Sequence, residues 1–263
     1  MTKIPFFQVD AFTDKQFKGN PAAVCILNEW LTESIMQSIA SENNLAETAF
    51  IVTRTDHFEI RWFTPKVEVD LCGHATLASA FVIYNYLGYD KHQVVFLSRH
   101  SGQLNVTRQN DTFFLDFPTD IISRSNDTEI ITKCLGEKPT ELFRGKSDYI
   151  ALLDSELKVK HLNVDIPTVS KLKARGLIVT SQGDEVDFVS RFFAPQSGID
   201  EDPVTGSAHT SLIPIWSARL NKTKMTARQL SLRGGQLVCE NMGNRSIIGG
   251  KATLFIKGEI YLE

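Results

Sequence analysis

Cys72-Gly-His-Ala-Thr76 and Thr205-Gly-Ser-Ala-His209 decide the fold. Each is a glycine turn that opens an apolar helix, and each sits in a longer stretch that recurs. Upstream, Arg61-Trp-Phe-Thr-Pro65 is echoed by Arg191-Phe-Phe-Ala-Pro195. Downstream, Ser101-Gly-Gln-Leu104 is echoed by Gly234-Gly-Gln-Leu237. Gly73 to Gly102 and Gly206 to Gly235 are both 29 positions. Ile51-Val-Thr53 matches Ile178-Val-Thr180, so the offset between copies grows from 127 (51 to 178) through 130 (61 to 191) to 133 (73 to 206). Order is kept, and the drift fits small loop insertions. The chain is therefore expected to be duplicated, with halves at residues 1–117 and 118–263 and terminal strands free to cross over. A duplication places two similar turns where they can face each other across an interface, a common setting for small-molecule clefts.

At 263 residues the chain can bury a substantial core. Two long copies are not a solenoid, which stacks several repeats of ~20–50 residues. A net charge of −3 with both signs interspersed offers no broad basic field for nucleic acid and no polybasic patch for a membrane surface. The four cysteines (Cys25, Cys72, Cys134, Cys239) are scattered and form no CxxC pair. They read as free thiols in a reducing cytoplasm rather than as a metal knuckle or a disulfide framework. The N-terminus lacks a signal-peptide apolar region, and no run approaches the ~20 apolar residues of a spanning helix. A soluble cytoplasmic protein is expected.

Along the chain, Ile4–Ala11, Ala22–Leu27, Glu47–Thr53 and Phe58–Phe63 suit strands. Residues 28–41 suit a helix with Thr32 as N-cap and Ile35, Ile39 and Ala40 on one face. Residues 73–87 hold no Asp, Glu, Lys or Arg, and a helix that is apolar all round is normally buried all round; Gly88 is a good stop. Strands are predicted at 94–97, 103–107 and 112–117, with a crossover at 118–125. In the second half, 129–135 and 167–174 are helix candidates, and 177–179, 186–193, 230–232, 236–239 and 252–262 are strands. Residues 206–220 mirror the first central helix, but Pro214 predicts a kink or an early end there.

The chemistry-bearing residues cluster at the two helix starts. Free backbone N–H groups and the positive end of the macrodipole attract an anion, and glycine allows close approach. Gly73 and Gly206 are therefore candidate donors to a small carboxylate. His74 follows Gly73; Asp202 precedes Gly206, and Ser207 follows it. Histidine and carboxylate side chains suit proton transfer in a dry cleft. The plainer alternatives are tight turns for the glycines, a buried structural role for His74, and turn or cap chemistry for Asp200 and Asp202. Asp70 reads as a cap of the first helix or its turn. Glu47 enters the apolar run Ala49-Phe-Ile-Val52; a carboxylate desolvated there is unusual outside a functional site, whereas a surface position would make it ordinary.

Asn44-Leu-Ala-Glu-Thr-Ala-Phe50, Asp70-Leu-Cys-Gly-His-Ala-Thr76 and Asp200-Glu-Asp-Pro-Val-Thr-Gly-Ser-Ala-His209 resemble the phenazine-biosynthesis isomerase (PhzF-like) family, as do Val9-Asp-Ala-Phe12 and Gly19-Asn-Pro-Ala22. The resemblance runs from about residue 4 to the C-terminus. It implies an α+β, diaminopimelate-epimerase-like fold: two pseudo-symmetric halves, each a β-barrel-like sheet around a central helix, with the active site between them and homodimers common. It implies Glu47 as the general acid/base, with His74 and Asp202 as further catalytic groups and Gly73, Gly206 and Ser207 binding substrate. The implied reaction is an isomerisation, free of cofactor and metal, of a small cyclic carboxylate of the dihydro-hydroxyanthranilate type.

The related amino-acid epimerases place one cysteine at each helix start. Here Cys72 holds the first position but Thr205 holds the second, so a two-thiol mechanism is not available. Two alternatives stand beside the isomerase: an epimerase or racemase that pairs Cys72 with Glu47, and a small-carboxylate-binding protein that has lost the chemistry.

Overall fold

A computed structural model describes residues 1–263. The chain divides into two compact units, residues 1–116 with 249–263, and residues 117–248. The first contains β1 (Thr2–Ala11), β2 (Asn20–Leu27), α1 (Glu33–Asn43), β3 (Glu47–Thr53), β4 (Phe58–Phe63), β5 (Glu68–Val69), α2 (Gly73–Tyr86), β6 (Gln93–Ser98), β7 (Gly102–Gln109) and most of β8 (Thr112–Pro118). The second contains β9 (Ser123–Arg124), α3 (Thr128–Leu135), β10 (Glu141–Arg144), β11 (Asp148–Leu152), α4 (Glu156–His161), α5 (Ile166–Val169), β12 (Gly176–Gln182) and β13 (Phe188–Ala194). A 3-10 turn, β14 (Ile199–Asp202), α6 (Gly206–Leu220), β15 (Lys224–Gln229), β16 (Gly235–Asn241) and most of β17 (Arg245–Gly250) follow. The last strand, β18 (Ala252–Leu262), returns to the first unit and pairs antiparallel with the whole of β1.

The two units repeat one strand grammar. In the first, β2 and β3 are parallel across α1, β3 and β4 are antiparallel, β4 and β6 are parallel across α2, and β6 and β7 are antiparallel. In the second, β11 and β12 are parallel across α4 and α5, β12 and β13 are antiparallel, β13 and β15 are parallel across α6, and β15 and β16 are antiparallel. Ladder register refines the sequence match. Phe50 pairs with Arg61, and Val179 pairs with Arg191, so residue 50 corresponds to residue 179, an offset of 129. The Ile51–Ile178 match was slipped by two residues, an error that hides easily because a two-residue slip returns each side chain to the same face.

In each unit the parallel strands are buried on both faces, which is why they read as continuous apolar runs rather than alternating ones. In the first unit, α2 packs on β1, β2, β3 and β18, and Leu77, Ala78, Val82 and Ile83 are fully buried. Met36, Ile39 and Ala40 of α1 join Cys25, Phe50 and Phe63 in a separate cluster. Ile35, expected on that face, is exposed and Met36 takes its place. In the second unit, α3, α4 and α5 set Ile131, Cys134, Val159 and Val169 against Ala151, Val179 and Val189. All four cysteines are free and buried. No helix is long and apolar enough to cross a membrane.

Three local expectations are corrected. α6 does not end early at Pro214 but continues to Leu220. Proline withholds the N–H that would meet the Thr210 carbonyl, four residues back, but the Asp120 N–H donates to that carbonyl at 3.2 Å, so the helix loses no partner. Residues 230–232 form no strand, with Leu232 fully exposed, and the strand is Lys224–Gln229 instead. Residues 167–174 yield only the single turn of α5.

Candidate active site

In the first unit the site is built where β2, β3 and α2 begin. Parallel pairing sets Glu47 beside Ala22, two residues beyond Asn20. Asn44, in the left-handed region at φ 48°, ends α1 and turns the chain into β3. Cys72 is the N-cap of α2 but supplies no side-chain cap, and Asp70 does not replace it: its carbonyl instead accepts from Ser101, and its carboxylate lies 4.0 Å from His100. The first turn of α2 then presents Gly73 and His74.

His74 is the hub. Its Nε2 lies 3.1 Å from Glu47 Oε2, its Nδ1 lies 3.2 Å from Asn20 Nδ2, and Cys72 Sγ is 3.5 Å from Nδ1. The His74 and Glu47 side chains are 6% and 14% exposed, so the pair is largely shielded from water. Burial works against the imidazolium, but the charge of Glu47 and the hydrogen bonds to Cys72 and Glu47 outweigh it and hold His74 well above the ordinary histidine range. Burial, and then the Glu47 charge, push the Cys72 thiol up, so it is a neutral thiol near pH 7. A doubly protonated His74 donates from both nitrogens, and the Asn20 amide can turn its oxygen to meet it. Glu47 Oε2 is buried and faces the His74 Nε2 and no other hydrogen-bond donor. The carboxylate thus has a charged neighbour but an uncommitted lone pair. The donor atoms of Glu47, Cys72 and His74 lie within 4.8 Å of one another, a set that could also ligate a metal ion.

In the second unit, β14 ends at Asp202, which is 9% exposed. The Thr205 hydroxyl donates to Asp202 Oδ2. Gln229, fully buried on β15, clamps this loop: its Nε2 donates to the Asp202 carbonyl at 2.7 Å, and its Oε1 accepts from the Thr205 N–H at 2.8 Å. Gly206 then opens α6, again without a side-chain cap. Ser207 Oγ accepts from Arg175 Nη1 at 2.9 Å. Arg175 forks onto both oxygens of Asp148, which is 4% exposed, and lies over the Phe192 ring at 5.1 Å. One turn into α6, His209 Nδ1 donates to the Thr205 carbonyl at 2.8 Å.

Glu47, Gly73 and His74 thus come together in the first unit, and Asp202, Gly206 and Ser207 in the second. Asn20, Gln229, Arg175 and Asp148 were not expected at either place. Asp148 carried the signal that singled out Glu47, an acid at the head of an apolar run (Tyr149-Ile-Ala-Leu-Leu153). Gln229 has no such signal, because a buried glutamine on a strand is marked only by its partners.

Residues 9–258 match the PhzC-PhzF family, described as phenazine biosynthesis-like protein. An uncharacterized isomerase of Pseudomonas aeruginosa is 47% identical over 260 residues, covering 99% of each chain. The crystal structure of a phenazine biosynthesis protein of the PhzF family from Enterococcus faecalis is 48% identical, with a TM-score of 0.96 over 99% of this chain and 100% of that one. A predicted epimerase from Pseudomonas aeruginosa shares the fold at 18% identity, with a TM-score of 0.77 over 99% of this chain and 100% of that one. The diaminopimelate-epimerase-like α+β architecture expected from the sequence is therefore the one this chain adopts, and the chain belongs to the phenazine biosynthesis-like PhzC-PhzF family.

Proposed function

We propose that this PhzF-family isomerase moves a proton, and with it the double bonds, within a small cyclic carboxylate of the dihydro-hydroxyanthranilate type, with Glu47 as general acid/base and no cofactor. The observation that supports the reading is the surroundings of Glu47: a shielded carboxylate oxygen that faces no hydrogen-bond donor except an imidazole held charged, 3.1 Å away. Such an oxygen is free to take a proton from a ring carbon. The electron pair left behind shifts through the ring, and the same carboxyl returns the proton to another carbon, so the net change is an isomerisation. The His74 charge stabilises the carboxylate between turnovers. In the first unit the Gly73 backbone offers donors to polar groups of the substrate; in the second, Asp202, the Gly206 backbone and Ser207 offer binding groups of the same kind. Homodimer formation belongs to the same proposal.

Glu47→Gln tests it. The amide keeps the shape of the side chain but cannot shuttle a proton, and general acid–base groups typically contribute about 10²–10⁴-fold. Turnover should fall by at least that much while folding and ligand binding persist. Full activity in this variant ends the assignment. Exchange of a substrate amino-acid Cα hydrogen with deuterated solvent, with inversion, would point to the epimerase alternative instead.

A further inference from the structure

The internal duplication assigns a counterpart to each residue of the proton-transfer pair, and the counterparts differ in chemistry. Parallel pairing sets Glu47 beside Ala22 in the first unit and Gly176 beside Asp148 in the second. Gly176 therefore stands where Glu47 stands, with Arg175 immediately before it, and Ser207 stands where His74 stands. Where the first unit holds a carboxylate against an imidazole, the second holds a guanidinium against a hydroxyl.

We propose that the Asp148–Arg175 pair is a positioning device that fixes Ser207 as a hydrogen-bond donor to the ligand, and that the guanidinium behind the hydroxyl makes this bond stronger to a carboxylate than to a carboxamide. The inference rests on the reading of Ser207 as a substrate-binding residue. Arg175 cannot accept a hydrogen bond, so its contact with Ser207 Oγ consumes a lone pair of the hydroxyl. The O–H is left to point away from the guanidinium, and Ser207 is only half-buried. Asp148 holds the fork by two hydrogen bonds and is itself buried, so Arg175 has little freedom to turn toward a ligand directly. Its charge reaches the ligand through the polarised hydroxyl. Lysine cannot reproduce this, because one ammonium lacks the planar fork that serves both Asp148 oxygens and Ser207.

The test compares the binding of 3-hydroxyanthranilate and its carboxamide to the full-length protein by calorimetry. Wild type should favour the carboxylate by at least tenfold. Arg175→Lys should reduce that preference at least fivefold, Ser207→Ala should reduce it equally, and the double variant should lose no more than Ser207→Ala alone. Asp148→Asn combined with Arg175→Gln removes both charges together, avoids a buried unpaired carboxylate, and should behave like Arg175→Lys. A merely structural role would weaken both ligands alike and leave their ratio unchanged; that result overturns the inference while leaving Glu47 and Ser207 in place. If Ser207→Ala itself leaves carboxylate binding unchanged, or wild type binds neither ligand, the underlying reading of the site fails and the inference falls with it.

Discussion

Replacing Glu47 by glutamine should release His74 from its charge. In the folded protein His74 titrates well above the ordinary histidine value of 6.5, because the charge of Glu47 and the hydrogen bonds to Cys72 and Glu47 outweigh the burial that opposes the imidazolium. A unit charge 3.1 Å away is worth about 5 kcal/mol at an effective dielectric of about 20. Glu47 is 14% exposed, so solvent trims the effect, and a downward move of the His74 titration is the expectation. Cys72 cannot substitute, since its raised pKa keeps it a neutral thiol near pH 7. Burial is then the dominant influence left, and His74 should be neutral at pH 7 in the variant. Nitrogen NMR of the imidazole rings across a pH titration reads this directly, with His209 as an internal control. The linkage has a definite sign. A raised folded-state pKa gives stability that is complete below the unfolded value near 6.5 and is lost as pH rises through the folded value. Denaturant titrations should show that alkaline decline in the wild type and a flatter curve in the variant. A His74 titration that stays put or moves upward in Glu47→Gln would refute the electrostatic pairing, and with it the account of how the carboxylate is kept ready.

His209 has the opposite sign. Burial lowers it to about 4, against the pull of the Thr205 carbonyl, so between about pH 6.5 and pH 4 the unfolded chain takes a proton that the folded chain refuses. Acidification across that window should cost about 3 kcal/mol, and His209→Gln should abolish the slope; equal slopes in the two proteins would contradict the burial argument. Gly176 has no room for a methyl group: an added Cβ meets the Phe192 ring and the Phe193 carbonyl oxygen at 2.6 Å. Gly176→Ala should therefore cost about 2–3 kcal/mol in urea unfolding, and a neutral result would show that β12 and β13 can separate at that point.

The duplication was legible because glycine at Gly73 and Gly206 and the flanking Arg-aromatic-aromatic triplets are chemically distinctive. The central helix α2 was legible for a related reason, since a helix without Asp, Glu, Lys or Arg favours burial, and nine of its residues between His74 and Ile83 are buried. β11 passed unread: Asp148-Tyr-Ile-Ala-Leu152 is buried at every residue, as a strand covered on both faces must be, and so shows no alternation. The continuity of α6 through Pro214 could not be read either, because the Asp120 N–H that satisfies the Thr210 carbonyl comes from 90 positions earlier (120 to 210). At the site, residue type and neighbourhood singled out Glu47 and His74 as candidates, and the family resemblance supplied their roles. Arg175 was missed because an arginine before an apolar run looks like an ordinary solvent-facing charge until its partners Asp148 and Ser207 are known.

The return of β18 to β1 has a consequence for biosynthesis. The ten residues of β1 find ladder partners among residues 252–262. A ribosome therefore delivers every residue of the 117–248 unit before it delivers the strand that closes the other sheet. During that interval β1 offers an unpaired edge, the kind of surface on which nascent chains associate wrongly. The emerging polypeptide thus has reason to meet a chaperone early, and premature termination near its end would leave one unit intact and the other open along its length.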